Sequence, residues 1–200
     1  RGGYTVELSS QEVARLAIER GLVDAYRHVF AVLFWFVVLP GPAGAVLYWC
    51  THLLAREWAG VPSGEEETPL TRARARFGGP ARVLLDALDW IPVRLTALSF
   101  AIVGDFEDAA YCWRMQPETW KDEEGGVPMG LLLASGAGAL GVTIGGPLAM
   151  PIGPPRLRPE LGLGDAAEPE QLPSAVGLVW RALVLWLLVV LLVTLANLAP

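Results

Sequence analysis

Apolar and polar positions alternate along this chain in blocks, and the blocks set the elements. The first apolar block runs from residue 29 to 55 and breaks at Pro40-Gly41-Pro42-Ala43-Gly44. Two prolines with glycines cannot continue a helix. Each half is roughly 11 to 13 residues, about 16–20 Å of helix, against a hydrocarbon core of about 30 Å. The halves therefore form either one broken span or a helical hairpin. Arg1, Arg15, Arg20 and Arg27 precede the block, and Arg56, Arg72, Arg74, Arg76 and Arg82 follow it. The excess of basic residues places both flanks in the cytoplasm and favours the hairpin; Glu65-Glu66-Glu67 weighs little against this.

Upstream, residues 1–8 are a polar lead-in, with Tyr4 to Leu8 reading as extended. Ser9-Ser10-Gln11-Glu12 fits a capping box, and an amphipathic helix is expected over 9–27. Its apolar side carries Val13, Leu16, Ala17, Val23, Tyr26 and Phe30.

The block from residue 84 to 104, LLDALDWIPVRLTALSFAIVG, holds Asp86, Asp89 and Arg94 close together, with Pro92 among them. Ionisable groups at membrane depth face a protein interior and pair, so a structural ion pair among Asp86, Asp89 and Arg94 is expected. Asp86, Trp90 and Arg94 share one helix face, and Pro92 permits a kink. This segment reads as a polar-faced membrane helix that the others pack around.

Residues 105–127 are acidic and poor in Lys and Arg, which suits the periplasmic side, with Trp113 and Trp120 as interfacial residues. A short helix is expected over Phe106 to Met115. Residues 129–150 are apolar but rich in glycine (Gly136, Gly138, Gly141, Gly145, Gly146), which makes a poor free-standing helix. Such a run suits close backbone packing or a re-entrant segment in a membrane. Residues 151–173 are Pro-rich and polar, a surface loop. Residues 175–198 read as the clearest transmembrane helix, with Trp180 and Arg181 as anchors.

Composition fits a membrane protein: 53% hydrophobic residues, 18% charged and a mean hydropathy of +0.42. The expected class is all-α, a single multi-pass helical domain over 1–200 in the bacterial inner membrane, with the lipid bilayer as its first partner. The net charge of −6 argues against nucleic-acid binding. Cys50 and Cys112 lack paired spacing, and His28 and His52 lack ligand spacing, so neither a disulfide framework nor a metal site is expected. The chain starts at Arg1 without Met or a signal peptide and reads as the C-terminal part of a longer protein.

Four blocks carry a family resemblance: Gly41–Tyr48 (GPAGAVLY), Trp90–Ala97 (WIPVRLTA), Ala137–Pro147 (AGALGVTIGGP) and Arg158–Asp165 (RPELGLGD). In order and spacing the chain resembles the CobD/CbiB proteins of cobalamin synthesis. From Leu88 to Leu95, through Ala101–Gly104 and down to Trp113, it also resembles AmpE, an inner-membrane protein associated with β-lactamase regulation. For CobD/CbiB proteins the resemblance implies ATP-dependent amide formation between adenosylcobyric acid and aminopropanol or its phosphate, with ATP and Mg as cofactors.

On that reading Glu19 and Asp24 are the catalytic metal or carboxylate contacts. Arg94 is an anion contact, and the backbone at Gly138, Gly141, Gly145 and Gly146 surrounds phosphate, although no Lys-Ser/Thr follows as a P-loop needs. The sequence departs from the family pattern at three places: Arg20-Gly21-Leu22-Val23-Asp24 stands for an amide-bearing run, Asp89-Trp90 for Asn-Tyr, and Thr51-His52-Leu53-Leu54-Ala55 for Asn-Thr-Leu-Asp. The lost amide and carboxylate groups favour an AmpE-like accessory or regulatory component, working with a membrane-protein partner or a second copy. The amide ligase is the alternative.

Overall fold

The structure is a computed structural model that describes residues 9–39, 41–58, 69–149 and 154–198, without the side chains at 58, 69–77 and 198. Tyr4–Leu8, Pro40, Glu65–Glu67 and the side chains of Arg72, Arg74 and Arg76 lie outside the described residues. The chain divides into two compact units, Arg1–Tyr26 with Val93–Pro200, and Arg27–Pro92.

In the first unit, Ser9 caps α1 (Ser10–Ala25): its hydroxyl accepts from the Glu12 N–H at 3.2 Å, and the Glu12 carboxylate accepts from the Ser9 N–H at 2.8 Å. Two backbone donors that the helix itself leaves free are thereby satisfied. The helix continues through a π-helical turn, Tyr26–Phe30, into α2 (Ala31–Val38). Residues 9–27 and the start of the 29–55 block therefore share one helical run, Ser10–Val38. Between Gly21 and Leu39 there is no glycine or proline to stop it.

The centre of the first unit is α6 (Gly126–Leu140), in which every residue from Met129 to Ala139 is buried. Its glycines sit where neighbours approach. A Cβ on Gly138 would fall 2.7 Å from the Asp108 carbonyl of α5 (Phe106–Met115). One on Gly136 would meet Leu22 of α1 at 2.9 Å, and one on Gly130 would meet Trp120 at 2.5 Å. From the other direction, a Cβ on Gly104 would lie 2.6 Å from Ala139. Small residues at these crossings let backbones come closer than side chains would permit. The long helix α4 (Pro69–Val103) contributes its C-terminal end, where the Ala97 carbonyl accepts from the buried Ser135 hydroxyl of α6 at 2.8 Å.

Gly141 (φ 66°) ends α6 in the left-handed conformation that a glycine adopts without strain. The chain then becomes a strand, not more helix. β1 (Val142–Gly145) pairs antiparallel with β2 (Glu160–Gly162) and parallel with β3 (Asp165–Ala166), giving the order β2-β1-β3. The protein is thus mostly helical with a small sheet, which corrects the all-α expectation. The sheet lies in the segments read as a glycine-rich run and a surface loop, where short β-forming stretches (VTI, EL) are hidden between glycines and prolines.

The last helix, α7 (Leu172–Leu198), leaves Val184, Leu187, Leu188, Leu191, Leu192 and Leu195 half or more exposed. Among the described residues, two helical runs, Ser10–Val38 and Pro169–Asn197, are long and apolar enough to cross a membrane. Trp186 Nε1 donates to the Ser99 hydroxyl at 2.7 Å, tying α7 to the end of α4.

In the second unit, α2 and α3 (Ala43–Trp58) form a helical hairpin. Gly41 (φ 73°) supplies the turn between them. A Cβ on Gly44 would strike the Trp35 carbonyl, so this crossing too requires glycine. α4 runs as helix through Pro80 and Pro92.

Gly44→Ala should destabilise the protein by about 1–3 kcal/mol through overpacking, seen as a lowered Tm in detergent by circular dichroism. Gly79→Ala, on α4 with nothing within 4 Å of its Cβ position, should stabilise it by about 0.5–1 kcal/mol, the ordinary glycine penalty in a helix.

Cys112 of α5 is fully buried, and burial, reinforced by Asp108, pushes its thiol up to about 11 from an ordinary 9.0. In a Cys50→Ser variant, N-ethylmaleimide at pH 7.5 should leave Cys112 unmodified until the protein is unfolded, as read by intact mass.

Candidate functional site

A polar cluster lies inside the first unit, assembled from three distant parts of the chain. Glu19 sits on the buried stripe of α1 with Ala14, Ile18 and Leu22. Arg158, just before β2, reaches it with both terminal nitrogens: Nη1 donates to Oε1 at 2.8 Å and Nη2 to Oε2 at 3.0 Å. The pair is bidentate, and the two side chains are only 8% and 12% exposed. The planar guanidinium matches a carboxylate edge in this way, which a lysine cannot do. Taking both charges out of water is costly, and breaking such a pair costs more than the pair contributes.

The sheet supplies the third part. Gly145 and Gly146 have φ of 80° and 72°, a conformation that favours glycine. The Gly146 N–H donates to the Pro159 carbonyl at 3.0 Å, and the Gly146 carbonyl accepts from Arg158 Nε at 3.4 Å. Arg15, one turn before Glu19 on α1, donates Nη2 to the Pro147 carbonyl at 2.6 Å. Two guanidinium groups therefore converge on one glycine turn. Trp120, at the end of a 3-10 turn (Pro117–Trp120), forms the floor: the Arg158 guanidinium lies 5.5 Å from its ring centroid. Among the described buried donors, Arg15 Nε and Trp120 Nε1 have no hydrogen-bond partner.

The expected site residues separate. Glu19, Gly145 and Gly146 meet in this cluster. Gly138 is a packing glycine against α5, and Gly141 caps α6 with open space at its Cβ position. Asp24 is exposed, about 140° around the helix from Glu19. Asp86 is exposed and Arg94 half-buried. Asp89 is buried in the second unit, where its Oδ1 accepts from the Tyr48 hydroxyl at 2.9 Å. That bond joins the end of the GPAGAVLY block to the residue before WIPVRLTA. Nearby, Trp35 Nε1 donates to the Leu88 carbonyl at 3.2 Å.

Sequence reasoning gave Arg15 to a basic flank, Trp120 to an interface and Tyr48 and Arg158 to family-like blocks, and named none of them as a site residue; Trp120 is in fact buried. Arg158 opens the RPELGLGD block, and Arg15 and Glu19 share a helix face at a spacing of four, so signals existed for both.

Arg15 and Arg158 offer the implied phosphate-bearing cofactor two cationic groups, but the space beside Gly145 and Gly146 is taken by the Pro159 carbonyl, Trp120, Arg15 and Glu160. Among the described residues, no group of three or more His, Cys, Asp or Glu side chains is arranged for a metal ion.

A family profile described as CobD/Cbib protein matches residues 3–179. The chain belongs to the CobD/CbiB family. The cobalamin biosynthesis protein CobD of Stutzerimonas stutzeri (strain A1501) is 39% identical over 187 residues, 94% of this chain and 57% of that protein. The cobalamin biosynthesis protein CobD of Chromobacterium violaceum (strain ATCC 12472) is 40% identical over 182 residues, 91% of this chain and 54% of that protein. This CobD/CbiB chain thus spans a little over half the length of the curated relatives it matches. No solved structure matches it significantly.

Glu19→Gln should destabilise this CobD/CbiB protein by about 3–5 kcal/mol by leaving Arg158 buried without its counter-charge. The double variant Glu19→Leu with Arg158→Met should recover most of that loss, both read by thermal unfolding.

Proposed function

We propose that this protein acts in cobalamin biosynthesis as a membrane-bound, amide-forming ligase, embedded in the inner membrane through several of its apolar helices. The observation that carries the reading is the convergence of Glu19, the Gly145–Gly146 turn and Arg158. Gly145–Gly146 and Arg158 lie in two of the family-like blocks and Glu19 on α1 far before them, and the three meet in one buried, charged cluster. Apolar surroundings strengthen every charge interaction there. Both relatives are named for cobalamin biosynthesis.

Amide formation from a carboxylate needs activation of the acid, placement of the amine and control of developing negative charge. ATP with Mg, when bound, would supply the phosphoryl group. In the protein's own part, Arg158 is locked by Glu19 and lies over Trp120, which fixes the position of its positive charge.

A second reading, an AmpE-like accessory or regulatory component, is favoured by Asp89. Where the family has Asn, this carboxylate is committed to a buried bond with Tyr48, a structural task. On that reading the exposed apolar faces engage another membrane protein or a second copy.

The readings separate in a strain lacking every other copy of the family. Full-length protein should restore growth without added cobalamin and restore the amidated corrinoid by mass spectrometry, and Arg158→Gln should not. Failure of the wild-type protein, present in the membrane and folded, would sink the ligase. Recovery of a stoichiometric membrane-protein partner by crosslinking would then support the accessory role.

A further inference from the structure

The chain passes between its two units twice, after Tyr26 and after Pro92. Both passages lie inside long helices, the run Ser10–Val38 and α4. A regular helix is a stiff connector, because every turn is bonded to the next. At both passages that regular bonding is interrupted.

At the first, α1 gives way to the π turn Tyr26–Phe30, which begins at the last residue of the first unit. Such single turns inside α-helices are rare, and helices kink at them. At the second, Pro92 is the last residue of the second unit. It has no N–H to give the Leu88 carbonyl one turn back. That carbonyl is bonded from outside its own helix: Trp35 of α2 donates its Nε1 to it at 3.2 Å. A neighbouring helix that re-satisfies the freed group is what lets an apolar helix keep a proline.

The replacement bond decides which side of the proline is held. Trp35 and Leu88 both belong to the second unit. One residue on, Asp89 of α4 accepts from the Tyr48 hydroxyl of α3 at 2.9 Å. Gly44 in turn seats α3 against the Trp35 carbonyl. The helices α2, α3 and α4 are thus cross-tied just before Pro92, and both interruptions fall at the ends of the tied segment.

We propose that the second unit, Arg27–Pro92, turns as a rigid body about two hinges, the π turn Tyr26–Phe30 and Pro92. Either irregularity alone would only bend one helix. Together they loosen every covalent connection that the braced segment has to the rest of the chain. Movement of this kind gives the protein two states that a substrate or a partner can bias. The proposal goes beyond the ligase reading and stands or falls without it.

The test is distance measurement by pulsed electron resonance between spin labels on full-length protein in nanodiscs. Labels are attached at exposed positions in a Cys50→Ser background, with buried Cys112 checked by intact mass to stay unlabelled. Glu57→Cys with Val83→Cys lies within the second unit, Glu107→Cys with Ser174→Cys within the first, and Val83→Cys with Glu107→Cys spans Pro92. The spanning pair should give a broad or two-peaked distribution, and the two internal pairs narrow ones. Pro92→Ala, which restores the missing N–H, should narrow the spanning pair. A spanning pair as narrow as the internal pairs overturns the proposal, and so does a Glu57–Val83 pair as broad as the spanning one. A broad spanning pair that Pro92→Ala leaves unchanged in folded protein also overturns it. Should Pro92→Ala not fold, the three distributions in the protein with its native proline decide alone.

Discussion

The near-contact of backbones around α6 is the constraint from which the first unit follows. Apolar area alone drives helices together without fixing how closely they approach. Here glycine fixes it. Gly130, Gly136 and Gly138 on α6 and Gly104 after α4 each occupy a place where a methyl group would collide with a neighbour. The result is a 15-residue helix with no outward face along its buried stretch, surrounded by α1, α5 and the strands that follow it. Such a helix costs propensity at each glycine, about 1 kcal/mol, and regains it through packing that larger residues would forbid.

The polar cluster depends on that packing. α6 stops at Gly141, and the chain that leaves it becomes the central strand of the sheet. The strand carries Gly145 and Gly146 to the face of α1 that bears Arg15 and Glu19. Arg158 arrives from the segment just before the antiparallel partner strand. No single element holds the site; it exists because a helix end, a sheet and a helix face are fixed together. A buried ion pair is a poor source of net stability, but a half-broken one is costly, so Glu19 and Arg158 hold each other in place.

Much of the helical framework was legible in the chain. The Ser9–Glu12 cap, the short helix over Phe106–Met115, the break near Gly41 and the apolar run ending the chain all rest on local signals, and local signals survive in the sequence. The sheet was not legible: its strands are four, three and two residues long, shorter than any period can reveal. The polar cluster was half legible. Glu19, Gly145 and Gly146 stood out, but Arg158 is 139 residues from Glu19, and Tyr48 is 41 residues from Asp89. Partners at such separations are chosen by the fold, which no local pattern encodes. Gly138 illustrates the converse. A glycine-rich run suggests a ligand cradle, yet Gly136 and Gly138 each admit a neighbouring helix.

The sheet's small size has a consequence for how this protein behaves in company. An open sheet always has two outer strands whose unpaired amides and carbonyls can recruit another chain. Here those outer strands are β2 and β3, only three and two residues long, each bordered by a glycine at positive φ, and β2 is preceded by a proline that has no N–H to offer. So little ladder is left open that strand-to-strand polymerisation has almost nothing to copy. Copies of a chain with this much exposed apolar helix can therefore crowd together while the small sheet among the described residues keeps to itself.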